Sequence, residues 1–185
     1  MGAVSADINA VEIVEKGEGY AVDDFMVELP PGSRPDSLVS ACASVPDVEV
    51  IWVSHYPEAW GLQSDVDVLD AMTEDPEHAE QILTAQAPKV FRANWALLVD
   101  RPSSSVVSAT ELAPELDEAG VAALGDLSAA HERELTEGWT PGWGETLIVA
   151  APFRGPHSIV LGRHGGPEFK KSELARLRHL AALAQ

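Results

Sequence analysis

The sequence predicts an α+β protein made of two small units, and three observations carry the prediction. Period-two alternation of apolar residues near the N-terminus reads as a hairpin of strands. Segments with apolar residues three and four apart read as amphipathic helices at 34–45, in the 64–87 region and at 170–185. Runs of strands and helices then alternate in an order that repeats no unit of 20 to 50 residues, which excludes a solenoid.

In chain order, residues 8–15 and 20–29 are predicted strands joined through Lys16-Gly17-Glu18-Gly19, whose glycines tolerate the positive φ of a tight turn. On the second strand Phe25, Val27 and Leu29 share one face, and Asp24, Met26 and Glu28 share the other. Pro30-Pro31-Gly32 ends it. Leu38, Cys42 and Val45 lie at helical spacing within 34–45, which makes Cys42 a core thiol, and Pro46-Asp47 turns the chain into a further strand at 48–54. Ser64 caps a short acidic helix, and Asp75-Pro76-Glu77 starts another whose stripe of Ala79, Ile82, Leu83 and Gln86 runs toward Pro88. Strands are predicted at 90–101 and 103–110, a helix over 118–137, strands at 145–153 and 157–163, and a closing helix with Leu174, Leu177, Ala181 and Ala184 on one face.

The chain has 185 residues, 45% of them apolar, and 12 basic against 30 acidic side chains give a net charge of −18. That composition suits one or two globular domains and disfavours binding to nucleic acid, because a polyanion repels phosphate. No apolar run reaches the roughly 18 to 20 residues of a membrane span, and the N-terminus lacks the basic and apolar regions of a secretory signal. A soluble, cytoplasmic protein with no membrane partner is therefore expected. The acidity is uneven. Arg154, Arg163, Lys170, Lys171, Arg176 and Arg178 outnumber Glu168 and Glu173 in residues 152–185, so that stretch carries about +4. A solvated helix or an anion-facing site would each account for it.

Catalytic motifs are missing. No G-x-S-x-G elbow, phosphate-binding loop, dinucleotide fingerprint or H-E-x-x-H occurs, and a single cysteine excludes an internal disulfide. No cofactor or metal is expected, and Asp65, Asp67 and Asp70 read as a solvated acidic helix face instead of a calcium loop. Gly162-Arg163-His164-Gly165-Gly166 offers either an ordinary strand-to-helix loop or a basic turn that holds an anion on its amides. Trp139 and Trp143 bracket a glycine-containing turn and Trp95 falls in a strand; such rings either close over a flat ligand or bury the loop against the core. The candidate ligand-binding residues are therefore Trp95, Trp139, Trp143, His157, Arg163 and His164.

Residues 6–53, ADINAVEIVEKGEGYAVDDFMVELPPGSRPDSLVSACASVPDVEVIWV, resemble the second half of an ACT domain, the ferredoxin-like module that binds amino acids or other small effectors in metabolic enzymes. The resemblance implies that residues 1–57 form an ACT-like regulatory domain lacking its first strand and its D-x-P-G-x-L turn. Truncation is the favoured explanation, with strand donation by a partner chain and a degenerate domain as the alternatives. Residues 58–185 resemble a GAF domain, an antiparallel sheet flanked by helices, through Ala87-Pro88, Phe91 to Ala96, Ala150 to Phe153, Gly162-Arg163 and Pro167-Glu168-Phe169. The chain departs from the family in lacking the N-K-F-D-E pattern of cyclic-nucleotide GAF domains, and this half has no cysteine. Together the resemblances imply a non-catalytic regulatory protein that binds a small-molecule effector, such as an amino acid, and forms a homodimer. A pure interaction subunit without ligand, and an enzyme using the GAF-like pocket, are the alternatives.

Overall fold

The computed structural model describes residues 2–53, 62–165 and 168–184. The chain divides into two compact units, Met1–His55 and Tyr56–Gln185.

The first unit is a long hairpin followed by one helix. Strand β1 (Asp7–Gly17) pairs antiparallel with β2 (Tyr20–Glu28), and Gly17 faces Tyr20 across a two-residue turn in which Gly19 has φ 89°. Register shifts between Ile8 and Ala10, and between Ile13 and Glu15, mark irregularities in β1. The first has a clear effect. Ile8 faces Val27 while Val11 faces Phe25 and Ile13 faces Asp23, so the shift keeps three apolar side chains of β1 on one face despite their odd spacing. Ile8, Val11, Ile13 and Phe25 are nevertheless 37% to 54% exposed.

Helix α1 (Pro35–Ala43) has proline in its first turn and Leu38 as its buried residue. Cys42 is half-buried, so the expectation of a core thiol is corrected: the unit has too little covering structure to enclose it. The strand expected at 48–54 is also corrected, since residues 48–53 pair with no other strand and residue 54 lies outside the described residues. Asp47 takes a left-handed φ of 62°, and Val48, Ile51 and Val53 follow it exposed. The β propensity of that run is real, but a strand forms only where an edge receives it. The described residues thus form a two-stranded sheet here and not the strand–helix–strand of a ferredoxin-like unit.

The second unit is built on a five-stranded antiparallel sheet in the order β4-β3-β7-β6-β5. Its strands are β3 (Trp95–Asp100), β4 (Ser105–Ala109), β5 (His131–Leu135), β6 (Thr146–Pro152) and β7 (His157–Arg163). The three central strands read as continuous apolar runs because both faces are covered. On one face Ala96, Leu98, Val149, Ala151, Ile159 and Leu161 pack under α2 (Leu62–Glu74), α3 (Ala79–Phe91) and α5 (Lys171–Leu183). On the other, Trp95, Leu97, Val99, Ile148, Ala150 and Val160 pack with Val121 and Leu124 from α4 (Glu118–Ala123) and its flanking loop.

Two expected elements change character. Residues 90 and 91, expected in a strand, end α3, which runs through Pro88 and closes on Arg92 at φ 52°. Val90 and Phe91 are buried under the sheet there, and that burial outweighs the proline and β-branched propensities. The helix expected over 118–137 stops at Ala123. Gly125 at φ 94° and the Asp126 carboxylate, which accepts from the Ser128 amide at 2.9 Å, break it, and His-Glu-Arg-Glu-Leu becomes the edge strand β5. Asp65 is likewise no solvated acid: it pairs with Arg176 of α5 at 2.9 Å, while Asp67 and Asp70 are exposed. Among the described residues no helix is long and apolar enough to cross a membrane.

Candidate functional site

Three tryptophans meet at one end of the loop-covered face. Trp95 begins β3 opposite Gly162 of β7, and its indole lies over that glycine so closely that a Cβ at 162 would come within 2.0 Å of Cε2 and Cζ2. Trp139 and Trp143 come from the connection between β5 and β6. Gly138 (φ 78°) and Gly142 (φ 80°) bend that segment, and the Gly138 amide closes it by donating to the Trp143 carbonyl at 2.9 Å. Trp139 lies 6.5 Å from Trp95 at an interplanar angle of 23°, whereas Trp143 stands at 88° to Trp95, 6.2 Å away. Trp95 is fully buried and the two loop tryptophans are half-buried. The indole N–H of Trp95 is enclosed and has no hydrogen-bond partner among the described residues, which carries a desolvation cost of about 1–3 kcal/mol.

His164 completes the cluster, with its ring 4.7 Å from that of Trp143. Its amide donates to the Asn94 side chain at 2.7 Å, and the Asn94 amide donates to the Gly162 carbonyl at 2.8 Å, so the start of β3 fixes the end of β7. The buried Thr146 hydroxyl links the parts: it accepts from the Trp139 indole at 3.2 Å, donates to the Gly144 carbonyl at 3.0 Å and lies 3.2 Å from His164 Nδ1. With the hydroxyl proton on Gly144, His164 Nδ1–H donates to Thr146, and Nε2 is left as an acceptor in the neutral ring.

The sequence-predicted set therefore separates. Trp95, Trp139, Trp143 and His164 come together, while Arg163 and His157 do not join them. Strand alternation sends Arg163 to the helix-covered face, opposite to its neighbours Gly162 and His164. There its guanidinium is buried over the Phe169 ring at 4.0 Å, donates to the carbonyls of Phe91 (2.7 Å) and Arg92 (3.2 Å), and pairs with Glu173 at 2.9 Å. The other carboxylate oxygen of Glu173 accepts the Lys170 amide at 2.8 Å, so the arginine ties the start of α5 to the sheet and to the end of α3. Of the two readings of the basic turn, an anion site cannot draw on this side chain.

His157 sits at the opposite end of β7, about 20 Å along the strand from Arg163. Its Nδ1 meets Glu80 of α3 at 2.5 Å, and Nε2 lies 3.7 Å from Asp100 of β3. Hydrogen bonds from the Ser103 hydroxyl and amide hold the Asp100 carboxyl below its usual range. No group of three or more His, Cys, Asp or Glu side chains with metal-binding geometry occurs among the described residues. Thr146 and Asn94 escaped the sequence reading of the site, and Gly162 entered it only as part of the basic turn and not as the floor beneath Trp95. A glycine inside an otherwise apolar strand was the available signal for Gly162, because such a glycine marks a close approach; nothing local announced Thr146 or Asn94.

What these elements define is a mixed α/β chain whose larger unit is an antiparallel sheet between a helical layer and a loop layer. No family model and no curated protein matches the chain. Among solved structures it is similar to the crystal structure of the GAF domain of a putative sensor histidine kinase from Pseudomonas syringae pv. tomato, with 16% identity, a TM-score of 0.45, and coverage of 66% of this chain and 81% of that one.

Proposed function

We propose that this is a non-catalytic regulatory protein whose larger, GAF-like unit senses a small flat ligand at the tryptophan and histidine cluster, and which works as a homodimer. The observation that carries the reading is the Trp95 indole N–H, enclosed near Trp139 and Trp143 and without a hydrogen-bond partner among the described residues. A ligand that stacks on these rings and brings an oxygen or nitrogen acceptor to Trp95 would satisfy that donor. Trp139 and Trp143 ride on a segment bent at two glycines, and His164 Nε2 offers a second polar contact at the rim. An amino acid with an aromatic side chain, or a purine, has the required shape and acceptors. The ACT-like reading of the first unit, as an effector or dimerisation module, belongs to the same proposal.

Thermal-shift screening of the full chain with L-tryptophan, L-phenylalanine, adenine, guanine and cyclic nucleotides tests the reading. A binder present at about 100 times its Kd stabilises the native state by about 2.7 kcal/mol. It should also change the intrinsic tryptophan fluorescence, and Trp143→Ala should remove both effects. A flat response to every compound, with no fluorescence change, overturns the ligand-sensing reading and leaves the pure interaction subunit, which the exposed apolar side chains of the β1–β2 hairpin favour.

A further inference from the structure

Within the tryptophan cluster the three rings are not equivalent. The Trp139 indole lies 6.5 Å from that of Trp95 with only 23° between the planes, a near-parallel stack, whereas Trp143 meets both at steep angles, 88° to Trp95 and 66° to Trp139. Trp139 is half-buried, and its N–H donates to the Thr146 hydroxyl at 3.2 Å, the long end for such a bond. The turn that carries it closes on itself: the Trp139 amide donates to the Thr136 carbonyl at 3.1 Å and the Gly138 amide to that of Trp143 at 2.9 Å. Gly138 precedes the ring at φ 78°, with nothing within 4 Å of the place a Cβ would take. Trp139 therefore covers the Trp95 ring but cannot match its enclosed N–H, because an indole offers a donor and no acceptor.

We infer that Trp139 is a stand-in for the ligand, and that the ligand is an uncharged fused heterocycle of purine size that displaces the Trp139 indole from Trp95. The inference rests on the ligand-sensing reading and narrows it from an aromatic amino acid or a purine to the purine kind. A ring in the place of Trp139 inherits a vacant acceptor at the Thr146 hydroxyl and an unmatched donor at Trp95. A bicycle that contains an imidazole carries an N–H and a ring-nitrogen acceptor in one plane, whereas the side chains of phenylalanine and tryptophan bring no acceptor. A free amino acid could offer its carboxylate, but that charge would lack a counterion in a buried cluster. Arg163, the cation beside His164 in sequence, is committed on the other face to Glu173 and to the Phe91 carbonyl. Exchange of one stacked ring for another of similar area leaves the apolar contact nearly unchanged, so the newly paired Trp95 N–H tips the balance toward the ligand.

Calorimetric titration of the full chain with indole and benzimidazole reads the inference, because the two share a shape and benzimidazole adds one ring-nitrogen acceptor. Trp139→Ala vacates the place. It should bind benzimidazole at least tenfold more tightly than wild type does, and about tenfold more tightly than it binds indole, the upper range for pairing a buried donor. In protein carrying isotope-labelled tryptophan, the Trp95 indole N–H resonance should move with benzimidazole and much less with indole. Trp139→Phe keeps a ring but drops the bond to Thr146, so it should bind benzimidazole about threefold more tightly than wild type. That variant keeps the test decisive if the alanine variant misfolds. Equal benzimidazole binding by wild type and both variants, or equal binding of the two compounds by Trp139→Ala, overturns the inference. If an aromatic amino acid still shifts the wild type in the thermal screen, ligand sensing survives that failure; a wild type that answers no compound overturns both.

Discussion

Replacing Gly162 by alanine isolates the close approach on which the tryptophan cluster is built. The added methyl would sit 2.0 Å from Cε2 and Cζ2 of Trp95 and 2.6 Å from Cδ2. Comfortable carbon contacts begin near 3.5 Å, so the indole must retreat by about 1.5 Å. It has nowhere easy to go, being fully buried and backed by Trp139 at 6.5 Å and Trp143 at 6.2 Å. Gly162 is not among the residues with positive φ, so the cost is steric alone. Overpacking a well-packed core costs about 1–3 kcal/mol, and a rigid ring with packed neighbours belongs at the upper end, about 3 kcal/mol. At roughly 2–4 °C per kcal/mol for a chain of this size, Tm should fall by about 6–12 °C. Two further glycines separate the causes. Gly138 has open space but φ 78°, so Gly138→Ala should cost about 1–2 kcal/mol of backbone strain. Gly144 has open space and an ordinary φ, so Gly144→Ala should stay within about 0.5 kcal/mol of wild type. Urea denaturation followed by tryptophan fluorescence measures all three. If Gly162→Ala matches Gly144→Ala, the tight contact between Trp95 and the β7 backbone is not a feature of the folded protein.

Two other predictions concern charge. Arg163→Met keeps an apolar stem but strands the Phe91 and Arg92 carbonyls and leaves the Glu173 carboxylate unpaired, and breaking a buried pair in this way costs about 3–5 kcal/mol. Arg163→Lys should recover only part of that in urea denaturation, because an ammonium cannot reproduce the fork; full recovery would refute the multidentate role. A hydrogen bond and the negative charge of Glu145 hold the exposed Glu134 carboxyl above its usual range, with a smaller contribution from Glu168. The folded chain therefore keeps that proton longer than the unfolded chain does, and stability from this group falls as pH rises from the ordinary carboxylate range through the raised value. Glu134→Gln should flatten that decline in denaturation curves taken at a series of pH values, and parallel profiles for the two proteins would contradict it.

Much of the fold was legible where apolar pattern and punctuation agreed. The hairpin around Gly19, the helix after Pro35, the paired strands at 146–152 and 157–163 and the C-terminal helix lie within a few residues of the expected positions. The reading went wrong where a long-range partner decided the conformation. Val90 and Phe91 look like strand residues but complete a helix because their side chains fit beneath the sheet. His131 to Leu135, expected within a helix, pair with β6, and the run from Val48 has strand composition but pairs with no strand among the described residues.

The candidate site shows the same division. Trp139 and Trp143 with their glycines, and Trp95 in its strand, stood out from composition. Thr146, the residue that links the loop to His164, is an unremarkable threonine until three partners converge on its hydroxyl. Arg163 and His164 are neighbours in sequence and looked like one basic turn. Side chains alternate across a strand, so one became an internal tie for α5 and the other a rim of the aromatic cluster.

The sequence by itself determined the elements whose apolar period and turn residues agree, the anionic charge and the basic C-terminal stretch, and the aromatic residues available for a site, because these follow from local pattern and composition. Only the tertiary structure decided which aromatics meet and which charges are buried. Each of those depends on contacts between residues tens of positions apart, such as Trp95 with Gly162 and Glu80 with His157, and no local periodicity encodes them.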